Sequence, residues 1–118
     1  MNNRTARVAS QIQREVSDII RTEIKDSRIP ALISILRVEV SGDLEHAKLF
    51  VSTYSSKEEG AAAAEALNGA AGFIRKLLGA RMKLRVTPQL HFVFDDSIEY
   101  SVHISEILSH LNTGGEEK

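Results

Sequence analysis

Two helix-forming stretches meet at a run that no helix favours. Residues 61–67, Ala-Ala-Ala-Ala-Glu-Ala-Leu, are strong helix formers. Phe73, Ile74, Leu77, Leu78 and Met82 resume helical spacing further on. Between them stands Asn68-Gly69-Ala70-Ala71-Gly72, which is poor helix. The chain must break or kink there, so the pattern predicts helices over about 57–70 and 72–82. Ser55 or Ser56 can cap the first, with Glu58 and Glu59 in its first turn. Gly79 is expected to loosen the end of the second.

The flanking segments say what this helical pair packs against. Val8, Ile12, Val16, Ile19, Ile20 and Ile24 form one apolar stripe on a helix over about 4–25. From Ile33 to Ser41, Leu36, Val38 and Val40 alternate with Arg37, Glu39 and Ser41, the period of a half-buried strand. Gly42-Asp43 supplies a turn. Ala47, Leu49 and Val51 then alternate with Lys48, Phe50 and Ser52 in a strand over about 46–55. The short connection makes these two strands an antiparallel hairpin. Leu90, Phe92 and Phe94 mark a third strand over about 89–95. Ser97 can cap a last helix carrying Ile98, Val102, Ile104, Ile107, Leu108 and Leu111. The expected fold class is α+β, a three-stranded sheet with helices packed on one face. Residues 1–112 read as a single domain, and residues 113–118 as a flexible tail.

The net charge of −1 hides an uneven distribution. Residues 1–14 carry Arg4, Arg7 and Arg14 and no acid. Residues 66–94 carry Arg75, Lys76, Arg81, Lys83 and Arg85 and again no acid. Acids gather at the end, with Asp95, Asp96, Glu99, Glu106, Glu116 and Glu117 against Lys118. Such a chain can turn one face to a polyanion and another to solvent or a basic partner. The plainer alternative is that each charge run is a solvated face.

Several function classes find no support. There is no cysteine, which removes disulfides and thiolate metal sites and fits a reducing cytoplasm. No apolar run approaches the ~20 residues of a membrane span. His46, His91, His103 and His110 lack metal-ligand spacing. Asp95, Asp96 and Glu99 suit turn and helix-start duty better than a divalent ion site. No Walker-type or nucleophile-elbow motif is present, so an enzyme is not expected and no cofactor is implied.

The break at 69–72 reads Gly-Ala-Ala-Gly, a match to the GxxG with which KH domains clamp a nucleic-acid backbone. Glycine allows backbone amides to approach phosphate oxygens, and the following helix N-terminus adds positive potential. Alone the spacing is weak evidence, since small residues also let two helices pack closely. Its place between two helices, after a hairpin and before a third strand, is the context a KH-type fold requires.

Longer stretches carry a more specific likeness. They are Arg7-Val8-Ala9-Ser10-Gln11-Ile12, Glu23-Ile24-Lys25-Asp26-Ser27-Arg28, and Val38-Glu39-Val40-Ser41-Gly42-Asp43-Leu44-Glu45-His46-Ala47-Lys48. They continue with Gly72-Phe73-Ile74-Arg75-Lys76-Leu77-Leu78-Gly79 and Leu84-Arg85-Val86-Thr87-Pro88-Gln89-Leu90-His91-Phe92. In order and spacing, over about residues 4–111, the chain resembles the ribosome-binding factor A family. The resemblance implies a KH-like type II fold whose second and third helices meet at an Ala-x-Gly kink, here Ala70, Ala71 and Gly72. In that family the kink replaces the GxxG loop. The resemblance also implies binding to the immature, free small (30S) ribosomal subunit rather than the 70S ribosome. With that come contact with 16S rRNA, support of late rRNA maturation, and importance for growth in the cold. Many relatives carry a longer C-terminal tail; this chain stops soon after Asn112, so no tail-dependent role is expected.

The expected RNA-binding residues are Arg75, Lys76, Arg81, Lys83 and Arg85, extended by Arg4, Arg7 and Arg14. Adjacent residues do not share a helix face, so some of these cations must point elsewhere. Phe73, Phe92 and Phe94 are expected in the core, and only Phe50 and Tyr54 share the outward strand parity. Shape and phosphate recognition is therefore expected, rather than an aromatic platform for stacked bases. A monomer is expected, located in the cytoplasm, with no membrane or small-molecule partner. Two other readings stay open: a protein-interaction adaptor using the acidic 95–118 region, and a general KH-type RNA chaperone.

Overall fold

The computed structural model describes residues 3–30, 33–53 and 56–95. The elements run α1 (Asn3–Glu23), β1 (Ser34–Val40), β2 (His46–Ser52), α2 (Lys57–Gly69), α3 (Ala71–Met82) and β3 (Gln89–Phe94). The helix expected from Ser97 to Leu111, the tail, Tyr54 and Tyr100 lie outside the described residues.

The sheet is ordered β1-β2-β3, with β1 antiparallel and β3 parallel to β2. Parallel pairing demands a long crossover, which α2 and α3 provide. Three apolar rows cross the inner face: Ile35–Val51–Phe94, Val38–Leu49–Phe92 and Val40–Ala47–Leu90. Strand parity in β2 and β3 follows the sequence pattern. In β1 it does not, because the register shifts between Ile35 and Arg37 and leaves Leu36 as the extra residue of a bulge. Ile35 therefore takes the buried place expected of Leu36. Gln13 of α1 serves the bulge by donating from Nε2 to the Ile35 carbonyl at 2.8 Å.

The hairpin turn falls at Gly42-Asp43 as expected, closed by the Leu44 amide on the Ser41 carbonyl at 2.9 Å. Ser41 donates its hydroxyl to Asp43, and the Glu45 amide reaches the same carboxylate oxygen. The left-handed residue is Leu44, at φ 63°, and Gly42 does not have a positive φ. Hydrogen bonding by Asp43 sets the turn, and the strain falls on a leucine.

Helix α1 lies over β1 and beside α3. Its stripe buries Ile12, Val16 and Ile19 completely, each worth about 1.5–3 kcal/mol of burial. Helix α2 starts at a capping box: Ser56 Oγ accepts from the Glu59 amide at 3.1 Å while Glu59 reaches back to the Ser56 amide. Ala70, at φ −99° and ψ 6°, is both the last cap of α2 and the first of α3. One residue makes the kink. Ile74 and Leu78 then anchor α3 in the core, both fully buried.

Two glycines mark close contacts. A Cβ on Gly79 would stand 2.7 Å from Thr87 Oγ1, so Gly79 admits the loop before β3 and does not fray the helix. A Cβ on Gly60 would overlap Cε1, Cζ and Cδ1 of Phe94. On helix propensity alone Gly60→Ala should stabilise by about 1 kcal/mol. The packing reverses that sign: Gly60→Ala is expected to lower unfolding free energy by about 1–3 kcal/mol in urea titration. Adding Phe94→Leu should recover part of the loss. A stabilised single variant would contradict the packing of α2 on Phe94.

Candidate nucleic-acid interface

The expected cations occupy two regions, one on α3 with the loop after it and one at the start of α1. All eight are exposed, yet they are not alike. The Arg75 guanidinium donates to the Thr87 carbonyl from Nη2 at 2.7 Å and to the Pro88 carbonyl from Nε at 3.2 Å. It ties α3 to the segment entering β3. Arg81 reaches the other way, to Asp18 at 2.7 Å and Glu15 at 3.3 Å on α1. Asp18 also pairs with Arg21. These two arginines thus carry internal structural contacts.

Lys76, Lys83 and Arg85 differ: each is exposed, and its side chain makes no hydrogen bond or ion pair with a described residue. Lys83 ends α3 in the left-handed conformation, at φ 53° and ψ 41°, its amide bonded to the Gly79 carbonyl. That turn directs the chain away from the helix axis and leads to Arg85 and the exposed Val86. Arg4 and Arg7 stand on the exposed side of α1. Arg7 and Arg14, with Ala6, Ser10 and Gln11, line a shallow depression of about 530 Å³. At 1.5 Å per residue, Arg4 lies roughly 16 Å along the axis from Glu15. The N-terminal arginines therefore form a separate patch rather than joining the Arg81 ion pair.

The kink between these regions is open. Nothing lies within 4 Å of a Cβ built on Gly69 or on Gly72, and neither has a positive φ. Ala70 and Ala71 pack against the core from beneath. Phe73, expected in the core, is instead 49% exposed. The core takes Ile74 and Leu78, four apart, and the neighbouring position points outward.

The outer sheet face is differently built. Arg37 stacks on Phe50 at 3.8 Å and bonds Asp95 at 3.2 Å and Glu39 at 3.3 Å. Asp95 is thereby held in an ion pair; Asp96 and Glu99 are outside the described residues. His46 and His91 stack at 5.5 Å, with Nδ1 and Nε2 3.3 Å apart. Strand pairing brought these histidines together across 45 residues, which linear spacing did not reveal. Among the described residues, no group of three or more His, Asp or Glu is placed to hold a metal ion. No described helix is long and apolar enough to cross a membrane.

The family model described as ribosome-binding factor A matches residues 4–108. A protein of that name from Caldanaerobacter subterraneus subsp. tengcongensis is 47% identical over 112 residues, covering 95% of this chain and 92% of its own. The crystal structure of ribosome-binding factor A from Thermus thermophilus matches with a TM-score of 0.66 at 25% identity, covering 75% of this chain and 93% of that one. A homology model of the Thermus thermophilus protein, fitted into the cryo-electron-microscopy map of a complex between the 30S subunit and ribosome-binding factor A, agrees in fold. Its TM-score is 0.62 at 23% identity, with coverage of 75% and 91%.

The Arg81–Asp18 contact has a pH signature. The hydrogen bond from Arg81 holds the Asp18 carboxyl below its ordinary range, against a smaller opposing effect of burial and with added help from the charges of Arg21 and Arg81. Asp43 is lowered likewise, first by the Ser41 hydroxyl and then by the Glu45 amide. A carboxyl lowered in the folded state contributes stability above its unfolded pKa and loses it as pH falls through the folded one. The thermal midpoint should therefore drop as pH is taken below about 4. Asp18→Asn should start lower at neutral pH and show a shallower acid limb. An unchanged acid limb would mean that the α1–α3 ion pair contributes nothing.

Proposed function

Because the chain belongs to the ribosome-binding factor A family, we propose that it is an RNA-binding assembly factor of the small ribosomal subunit. The observation that carries this reading is the set of three exposed cations, Lys76, Lys83 and Arg85, without side-chain partners among the described residues, in a 29-residue stretch with no acid beside an open kink. They suit contact with 16S rRNA phosphates, which position a protein on RNA without reading sequence. Arg4 and Arg7 extend the contact at a second patch. Arg75 and Arg81 act mainly by holding α3 in place, with whatever charge they present to RNA added to that. The complex of a ribosome-binding factor A with the 30S subunit, into whose map the Thermus thermophilus model was fitted, supports the same partner for this chain.

On this reading the protein binds the free, immature 30S particle in the cytoplasm as a monomer and not the 70S ribosome. It assists late maturation of 16S rRNA, and its loss matters most in the cold. It works by binding, without catalysis or cofactor.

Binding to purified immature small subunits across a salt series tests the proposal. Each lost phosphate contact should reduce the log–log salt slope by about 0.7–0.9. Lys76→Glu/Lys83→Glu/Arg85→Glu should bind weakly with a slope reduced by roughly 2–3. Because these side chains make no bonds with other described residues, its thermal midpoint should stay near wild type. Wild-type binding by the triple variant would refute the site. Failure of the wild-type protein to bind subunits would refute the assembly-factor reading and favour the adaptor.

A further inference from the structure

Phe73 is the only exposed phenylalanine of the four; Phe92 is buried, and Phe50 and Phe94 are half-buried. It sits in the first turn of α3, directly after Gly72. Phe73 and Lys76 are three apart, and Gly72 and Lys76 four apart, so the three flank one strip of the helix. Gly72 contributes no side chain there, and a Cβ would meet open space. Neither packing nor backbone conformation within the described fold requires glycine at that place. The strip is therefore a phenyl face, bare helix backbone and an unpaired ammonium, in a stretch whose nearest acids in sequence are Glu65 and Asp95.

We propose that this strip receives one unpaired nucleotide of the RNA, its base stacked on Phe73 and its phosphate at Lys76. The proposal rests on the RNA-binding reading above and adds a base contact to it. A nucleotide offers a planar apolar face and an anion one backbone step apart, the same pair of features the strip presents. Gly72 lets the sugar–phosphate backbone come close where any larger side chain would project. A phenyl ring has no hydrogen-bonding group, so stacking selects for an unpaired base and accepts any of the four. Duplex RNA keeps its base faces covered and meets only Lys76. Charge favours RNA over an apolar protein partner: Phe73 stands in a stretch that carries five cations and no acid, which suits an anion and which an apolar anchor would not need.

Position 73 can be made its own reporter, because the chain has no tryptophan. Phe73→Trp, Phe73→Tyr and Phe73→Leu are compared with wild type for binding to immature small subunits and to protein-free 16S rRNA. Trp and Tyr variants should bind within about threefold of wild type, and the indole fluorescence should be quenched on binding both targets. Phe73→Leu, still apolar, should lose about tenfold on both, the low end of a stack worth about 1–3 kcal/mol. Its salt slope should match wild type, since no phosphate contact is removed. Should Phe73→Leu fail to fold, the quench and the affinity of the two aromatic variants decide alone. Wild-type affinity in Phe73→Leu, or an unquenched indole, overturns the base contact and leaves the phosphate surface standing if the triple charge variant still fails to bind. A loss on subunits but not on protein-free rRNA also overturns it, placing Phe73 against a ribosomal protein. Absence of wild-type binding to either target instead removes the RNA-binding reading itself.

Discussion

The side chain of Asn68 fixes where the helical layer meets the sheet. Its Nδ2 donates to the Phe92 carbonyl and its Oδ1 accepts from the Phe92 amide, both at 2.8 Å. Strand β3 pairs with β2 through the backbone groups of alternate residues, and Phe92 turns its own pair to the free edge. Asn68 supplies there the donor and acceptor that a further strand would have offered. Half-buried polar groups left without partners cost about 1–3 kcal/mol, so this pairing both closes an edge and specifies one docking of α2. The kink at Ala70 follows two residues later, and its direction is set by that docking.

From that fixed point the site residues sort by what they hold. Arg75 draws the Thr87 and Pro88 carbonyls onto α3, and the bare flank of Gly79 lets Thr87 come near. Arg81 joins α3 to α1 through Asp18 and Glu15. With its base and far end both tied, α3 presents a defined outer strip. Lys76, Lys83, Arg85 and Phe73 are exposed along α3 and the loop after it. The outer sheet face meets solvent with its charges already matched, Arg37 to Asp95 and Glu39. The acid-free α3 with the loop after it, set against the ion-paired outer sheet face, gives a near-neutral protein an electrostatic direction.

Periodicity made much of the fold legible. The stripe of α1, the parity of β2 and β3, the Ser56 cap and the break near residue 70 all stand where repeated apolar spacing and helix-ending residues place them. What periodicity could not give were single side-chain bonds to distant backbone. Asn68 reads as a helix breaker in sequence, and its partner is 24 residues away. The bulge at Leu36 hides because one inserted residue leaves the local composition unchanged. Phe73 was misplaced because α3 buries only a narrow seam, Ile74 and Leu78, while its apolar residues spread more widely. The cations were legible as a cluster, but their division into structural and exposed groups was not, since the partners of Arg75 and Arg81 lie on other elements.

The proposed function sets the α3 side, and not the open sheet face, against RNA. Site-specific photo-crosslinking on immature small subunits tests it most directly, with a photoreactive benzoylphenylalanine placed at position 76 in one protein and at position 48 in another. Lys48 lies exposed on the outer sheet face beside His91, so it serves as the opposite pole. Crosslinks to 16S rRNA from position 76 and none from position 48 are the predicted result. Crosslinks to rRNA from position 48 alone would contradict the claim and place the interface on the sheet.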